Sequence, residues 1–143
     1  MKAFNKSDTW DRAFGSGSKV KLKGAKESEA KLQKDLAAYS REKYPEIRFK
    51  SSLDGFNLAG FQRQQAAAID WFEAGFPDMI WYHRNKKYTM LVLELKKVGG
   101  KTKKEHKARQ QAWLDYLTKQ GARAVFVEGL QEAKKELDKY MKL

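Results

Sequence analysis

The chain has 143 residues, 41% of them hydrophobic, which suffices for one core and is too little for two domains of ordinary size. Lysine and arginine outnumber aspartate and glutamate 30 to 18, so the net charge is +12. A basic excess of this size points to a polyanionic partner, because each cation that neutralises a phosphate releases condensed counterions. A membrane partner is not expected, since no apolar run approaches the roughly 20 residues that span a bilayer and no lysine-faced amphipathic anchor stands out; the absence of cysteine excludes disulfides and thiolate metal sites.

Residues 1–26 mix glycine and serine with seven basic and two acidic residues and read as a basic N-terminal arm, with residues 27–143 as the folded domain. Trp10 and Phe14, four residues apart, would share one face of any short helix in the arm. No apolar signal-peptide core is present there, so a cytoplasmic protein is the simplest expectation.

From 28 to 43, Leu32, Leu36 and Tyr39 recur at helical spacing, Ser28 is the expected N-cap and Pro45 ends the run. Residues 46–50 alternate, with Ile47 and Phe49 on one side, and lead to an Asp54-Gly55 turn signal; they predict the first strand. Alanine and glutamine content predicts a helix over 61–73, with Phe61, Ala68, Ile69 and Phe72 roughly on one side, ended by Gly75 and Pro77. Two strand-like runs, 78–83 and 88–97, flank a polar turn around Asn85 and Lys86 and predict an antiparallel hairpin. After Gly99 and Gly100, Thr102 is the expected cap of a helix to about 120, stopped by Gly121; a strand over 122–128 and a helix from 130 complete the chain. This succession predicts an α/β sandwich with a mixed sheet.

Glu94 and Lys96 interrupt the apolar run MLVLELKK, and charges in so apolar a strand are costly unless they are used. Two residues apart, they share one face, with Leu93 and Leu95 on the other. A turn centred near Lys86 pairs residues whose numbers sum to about 172, which sets Asp78 opposite Glu94 to within a residue or so. Two carboxylates in one small volume attract a hard divalent cation, and Mg²⁺ takes one or two protein carboxylates with water and phosphate oxygens. Lys96 adds an ammonium that can hold the attacking water or offset the charge of a phosphorane-like transition state. Together these groups describe phosphodiester hydrolysis. Taken singly they have plainer readings: a surface salt-bridge ladder for Glu94 and Lys96, and ordinary turn chemistry for Asp78 after Pro77.

Trp113 and Leu117 mark a buried helical stripe that also holds Gln110, whose amide then needs a polar partner, either the acidic site or a backbone carbonyl. From Lys96 to Arg109 there are seven lysines and arginines and one glutamate. A solvated helix face accounts for such a run, but its nearness to the catalytic strand favours DNA contact by Lys101, Lys103, Lys104 and Lys107; Lys19, Lys21 and Lys23 form a second candidate segment. His83 and His106 sit at no metal-ligand spacing and read as surface residues, while Trp71, Trp81, Phe126 and Leu137 read as core.

Gly75, Pro77 and Asp78, followed by Glu94-Leu95-Lys96, resemble the signature of the PD-(D/E)xK nuclease superfamily, and more narrowly of its VRR-NUC (virus-type replication-repair nuclease) branch. Ser28-Glu29 with Leu32-Gln33 is similar to that family's opening helix and Gln110 with Trp113 to its Q-x-x-W helix, so the resemblance runs from about Ser28 to Glu128. It implies a restriction-endonuclease-like α/β/α core with a central mixed sheet. It also implies Asp78 and Glu94 as metal ligands, Glu29 as an additional acid at the metal, Lys96 as the catalytic lysine and Gln110 as a supporting polar group. The cofactor so implied is Mg²⁺, with Mn²⁺ able to substitute, and the activity is a homodimeric, phage-type DNA endonuclease acting on branched DNA such as Holliday junctions in a bacterial or phage-infected cell. A glutamate in a first helical turn, as Glu29 is, is favoured by the helix dipole whatever its function, and residues 1–26 match nothing in the family. The alternative from another class is a non-catalytic basic nucleic-acid-binding module whose acids are structural; a basic assembly protein contacting an acidic partner is the third reading.

Overall fold

In the computed structural model, residues 28–52, 59–69 and 73–143 are described. They form α1 (Glu29–Lys43), β1 (Phe49–Ser51), α2 (Gly60–Ala68), β2 (Met79–Trp81), β3 (Leu91–Lys96), α3 (Lys104–Lys119), β4 (Arg123–Glu128) and α4 (Gly129–Met141), in the order the sequence predicts. The N-terminal arm with Trp10, Phe14, Lys19, Lys21 and Lys23, the Asp54-Gly55 turn, and Trp71 and Phe72 lie outside the described residues.

The four strands lie in the order β1-β2-β3-β4, with β1-β2 and β2-β3 antiparallel and β3-β4 parallel, so the sheet is mixed. The hairpin pairs Met79 with Leu93, Ile80 with Val92 and Trp81 with Leu91, each pair adding to the 172 expected from the position of the turn. Asn85 builds that turn: its Oδ1 accepts from the backbone N–H groups of Lys87 and Tyr88 at 2.8 and 2.7 Å. Strand β3 has a neighbour on each side and helices over both faces, and therefore reads as an almost unbroken apolar run.

Odd-numbered residues of the hairpin (Met79, Trp81, Leu91, Leu93, Leu95) pack with Leu32 and Leu36 of α1 and Ala133, Leu137 and Tyr140 of α4. Even-numbered Ile80 and Val92 face the other way, against Leu114 and Leu117 of α3. The sheet is thus the middle of three layers, and α3 covers the face that will carry the charges. Ser28 caps α1, its Oγ accepting from the Lys31 N–H at 3.1 Å. Gly129, at φ 80°, lets β4 pass directly into α4, a conformation a Cβ would strain. No described helix is long and apolar enough to cross a membrane.

Three local expectations are corrected. Strand β1 begins at Phe49 rather than at 46, although Ile47 still packs against the core. Helix α2 does not bury the predicted stripe: Phe61 and Ile69 are 70% and 71% exposed, Ala68 is exposed, and the buried position is Ala66. Alanine and glutamine sustain this helix through propensity, so packing does not set its phase; Phe61 lies about 140° round the axis from Ala66, and Ile69 is the C-cap beyond the last turn. Helix α3 starts at Lys104 with Lys103 as an N-cap that makes no side-chain bond, so Thr102 is not the cap. The first helical bond, Lys107 N–H to the Lys103 carbonyl at 3.0 Å, fixes that later start.

Trp81 is fully buried and its Nε1–H donates to the buried Ser40 Oγ of α1 at 2.8 Å. Ser40→Ala leaves that indole N–H without an acceptor and is expected to lower unfolding free energy by about 2 kcal/mol, measured by urea denaturation. Adding Trp81→Phe to Ser40→Ala should cost less than the sum of the two single changes, because the orphaned donor is then gone.

Candidate active site

The face alternation of the hairpin decides where its charges go. Beyond Ile80 and Val92, the next positions on the α3 side are Asp78 and Glu94, where the apolar layer ends. Asp78 is held from three directions: its Oδ2 accepts from the Leu95 N–H at 2.7 Å, while its carbonyl accepts from the Ser52 N–H at 2.7 Å and from Gln33 Nε2 at 3.1 Å. Gln33 Nε2 also donates to the Ser52 carbonyl at 2.9 Å, so one amide on α1 ties together β1 and the turn that carries Asp78.

Glu94 is 2% exposed. Its Oε1 accepts from Lys96 Nζ at 3.1 Å and, closely, from Gln110 Nε2, whereas among the described residues its Oε2 has no partner. Burial, and then the charge of Asp78, push the Glu94 carboxyl up to about 8, against the opposing pull of the Lys96 ammonium. Lys96 is partly buried and sits 5.9 Å over the Phe126 ring of β4, a second restraint on the ammonium. The structure therefore brings Glu94, Lys96 and Gln110 into direct contact and sets Asp78 beside them. It also resolves the choice left open for Gln110, whose partner is the acidic site and not a backbone carbonyl.

The Gly75-Phe76-Pro77-Asp78 turn is docked on α3. Gly75 has φ 90°, and a Cβ there would lie 2.7 Å from the Arg109 backbone carbon. Phe76 meets Trp113 edge-on, with ring centroids 5.1 Å apart at 78°. The Q-x-x-W spacing thus has two jobs on one helix: Gln110 holds Glu94, and Trp113 with Arg109 seats the turn that delivers Asp78.

Glu29, Lys96, Lys101, Thr102, Lys103 and His106 line an open pocket at the edge of this cluster. Glu29 is exposed, yet close enough for its charge to add to the upward push on Glu94. Lys104 and Lys107 are exposed on the start of α3 and are not part of that lining. His106, read from the sequence as a surface residue, is exposed but belongs to the site: its Nε2 lies 3.1 Å from Gln110 Nε2. The signal for it was its place one helical turn before Gln110, and for Gln33 its place one turn after Glu29. His83 is partly buried, and its carbonyl accepts from the Tyr140 hydroxyl at 2.6 Å. Trp81 and Leu137 are core as expected, and Phe126 packs against the α3 side of the core.

Among the described residues, no three His, Asp or Glu side chains gather closely enough to cage a metal by themselves. Mg²⁺ does not need such a cage, because it keeps several waters and takes one or two carboxylates together with substrate phosphates. The buried, unpartnered Oε2 of Glu94 beside Asp78 fits that coordination habit.

Two expectations follow from this geometry. Gly75→Ala combines an unfavourable φ with a clash against a helix backbone, and should lower stability by about 2 kcal/mol or more in urea titrations. Glu94 keeps its proton in the folded, metal-free protein after the unfolded chain has released it near 4.5, so stability declines as pH rises from there to about 8. Glu94→Gln removes that penalty: the melting temperature of the metal-free variant should exceed wild type at pH 8.5 by about 2–5 °C, and the two should converge below pH 4.5.

A solved structure described as a VRR_NUC domain protein matches the chain with a TM-score of 0.62 at 25% sequence identity, covering 85% of this chain and 93% of that one. No family model matches the chain, and no curated protein matches it. Shared architecture over most of both chains, together with the mixed four-stranded sheet, supports a VRR-NUC domain with a PD-(D/E)xK-like α/β fold.

Proposed function

We propose that the chain is a Mg²⁺-dependent DNA endonuclease, with Asp78 and Glu94 as the metal ligands, Glu29 as an outer acid and Lys96 as the catalytic lysine. The observation that carries this reading is Glu94: a carboxylate buried to 2% exposure, with one oxygen held twice and the other without a donor among the described residues, is an expensive arrangement for a protein to keep for packing alone. A purely structural role, as in a non-catalytic binding module, would leave Oε2 unused. Branched DNA as the substrate, a homodimer as the acting form and a bacterial or phage-infected cell as the setting rest on the family resemblance.

Bound Mg²⁺, with Mn²⁺ as a substitute, would supply charge neutralisation at the scissile phosphate and lower the pKa of the attacking water. The chain's own groups do the rest. Lys96 Nζ, restrained between Glu94 Oε1 and the Phe126 ring, donates to the water or to a non-bridging phosphate oxygen and offsets the charge that develops there. Gln110 holds Glu94 through its Nε2, and its own buried Oε1, without a donor among the described residues, is an acceptor for the same water. Lys101 and Lys103 at the pocket hold the flanking phosphates, with Lys104, Lys107 and the arm lysines Lys19, Lys21 and Lys23 extending the basic track.

Cleavage should be tested with Mg²⁺ on duplex, single-stranded, flap and four-way-junction DNA, with a chelator as the control. Alanine at Asp78, Glu94 or Lys96 is expected to slow cleavage by about 10³-fold while DNA affinity changes little. Cleavage of none of the four substrates, or variants as fast as wild type, would refute the assignment. If Lys101 and Lys103 each meet a phosphate, changing both to alanine should lower the slope of log K against log salt by roughly 2.

A further inference from the structure

The hydrogen bond between His106 and Gln110 fixes more than a contact. The two nitrogens lie 3.1 Å apart, and an amide nitrogen can only donate, so His106 Nε2 must be the acceptor. The tautomer that makes this bond carries its ring proton on Nδ1. Both hydrogens of the Gln110 amide are thereby committed, one to Glu94 Oε1 and one to His106 Nε2. Rotating the carboxamide by half a turn would break both bonds and set its oxygen against Glu94 Oε1, itself an acceptor. The Glu94 bond alone opposes that rotation less than the pair does, because Gln110 Oε1 has no donor among the described residues to add to it. His106 is exposed, so packing does not account for its orientation.

We propose that His106 is a positioning residue of the active site: by accepting from Gln110 it locks the amide with nitrogen towards Glu94, keeping Oε1 engaged and Oε2 presented to the cation. The inference rests on the nuclease reading for its consequence and on the hydrogen-bond geometry alone for the lock. It assigns His106 no contact with substrate and no proton transfer.

Nitrogen NMR of the full chain reads the lock directly, without activity. The His106 ring should show the Nδ1–H tautomer at neutral pH, and Gln110→Ala should abolish that bias; a ring protonated on Nε2 in the wild type would overturn the proposal. Calorimetric titration with Mn²⁺ and steady-state cleavage read the consequence. His106→Leu removes the acceptor and is expected to weaken Mn²⁺ binding and lower kcat by about tenfold each, with KM for DNA and melting temperature nearly unchanged. His106→Gln, which can place a carbonyl oxygen where Nε2 stood, should restore most of both. His106→Gln falling as far as His106→Leu would mean that the imidazole itself acts on substrate, and His106→Leu binding Mn²⁺ as wild type does would mean that the lock has no role; either overturns the proposal. Wild type that neither binds Mn²⁺ nor cleaves DNA would instead sink the nuclease reading, and the tautomer would still decide whether His106 holds Gln110.

Discussion

The pairing of β2 with β3 is the constraint on which the rest depends. A shift of one residue would turn Asp78 and Glu94 to opposite faces of the sheet and send Leu93 and Leu95 out of the core. Because both faces of β3 are covered, the apolar residues on either side fix the register, and the charges are carried to their places by it. The site is a by-product of core packing in this sense: on β2 and β3 the layer formed by Ile80 and Val92 under Leu114 gives way, at the next positions on the same face, to Asp78 and Glu94.

Around that edge the surrounding elements converge on two carboxylates. Helix α1 reaches the Asp78 carbonyl through Gln33, and α3 reaches Glu94 through Gln110 while seating the Gly75 turn with Arg109 and Trp113. Side chains on separate helices thus set the positions of the two acids, which makes the spacing between them a property of the whole layer arrangement rather than of the hairpin alone. The tension this creates is electrostatic. Burying Glu94 beside Asp78 raises its affinity for a proton, and the proposed divalent cation would compete for the same oxygens, so stability and ligand binding would draw on the same carboxylate.

The basic excess complements this small acidic centre. Lys101 and Lys103 stand at the pocket with Lys96, so in the proposed nuclease a phosphate backbone approaching the carboxylates would meet cations first. Without them, the two acids would repel the polyanion that the proposed mechanism requires.

The sequence determined the element order, the mixed sheet and the hairpin register, because apolar period and turn position are local signals: the centre near Lys86 places Asp78 opposite Glu94 with no knowledge of the fold. It failed where local propensity and packing separate, as in α2, whose alanines and glutamines make a helix that leaves Phe61 and Ile69 outside. Only the tertiary structure decided the partners of the polar side chains. That Gln110 meets Glu94, that Gln33 grips the turn before β2 and that His106 joins the site through Gln110 depend on how α1 and α3 lie on the sheet. A hydrogen bond is satisfied by whichever group the packing brings within about 3 Å, and no local pattern encodes that choice.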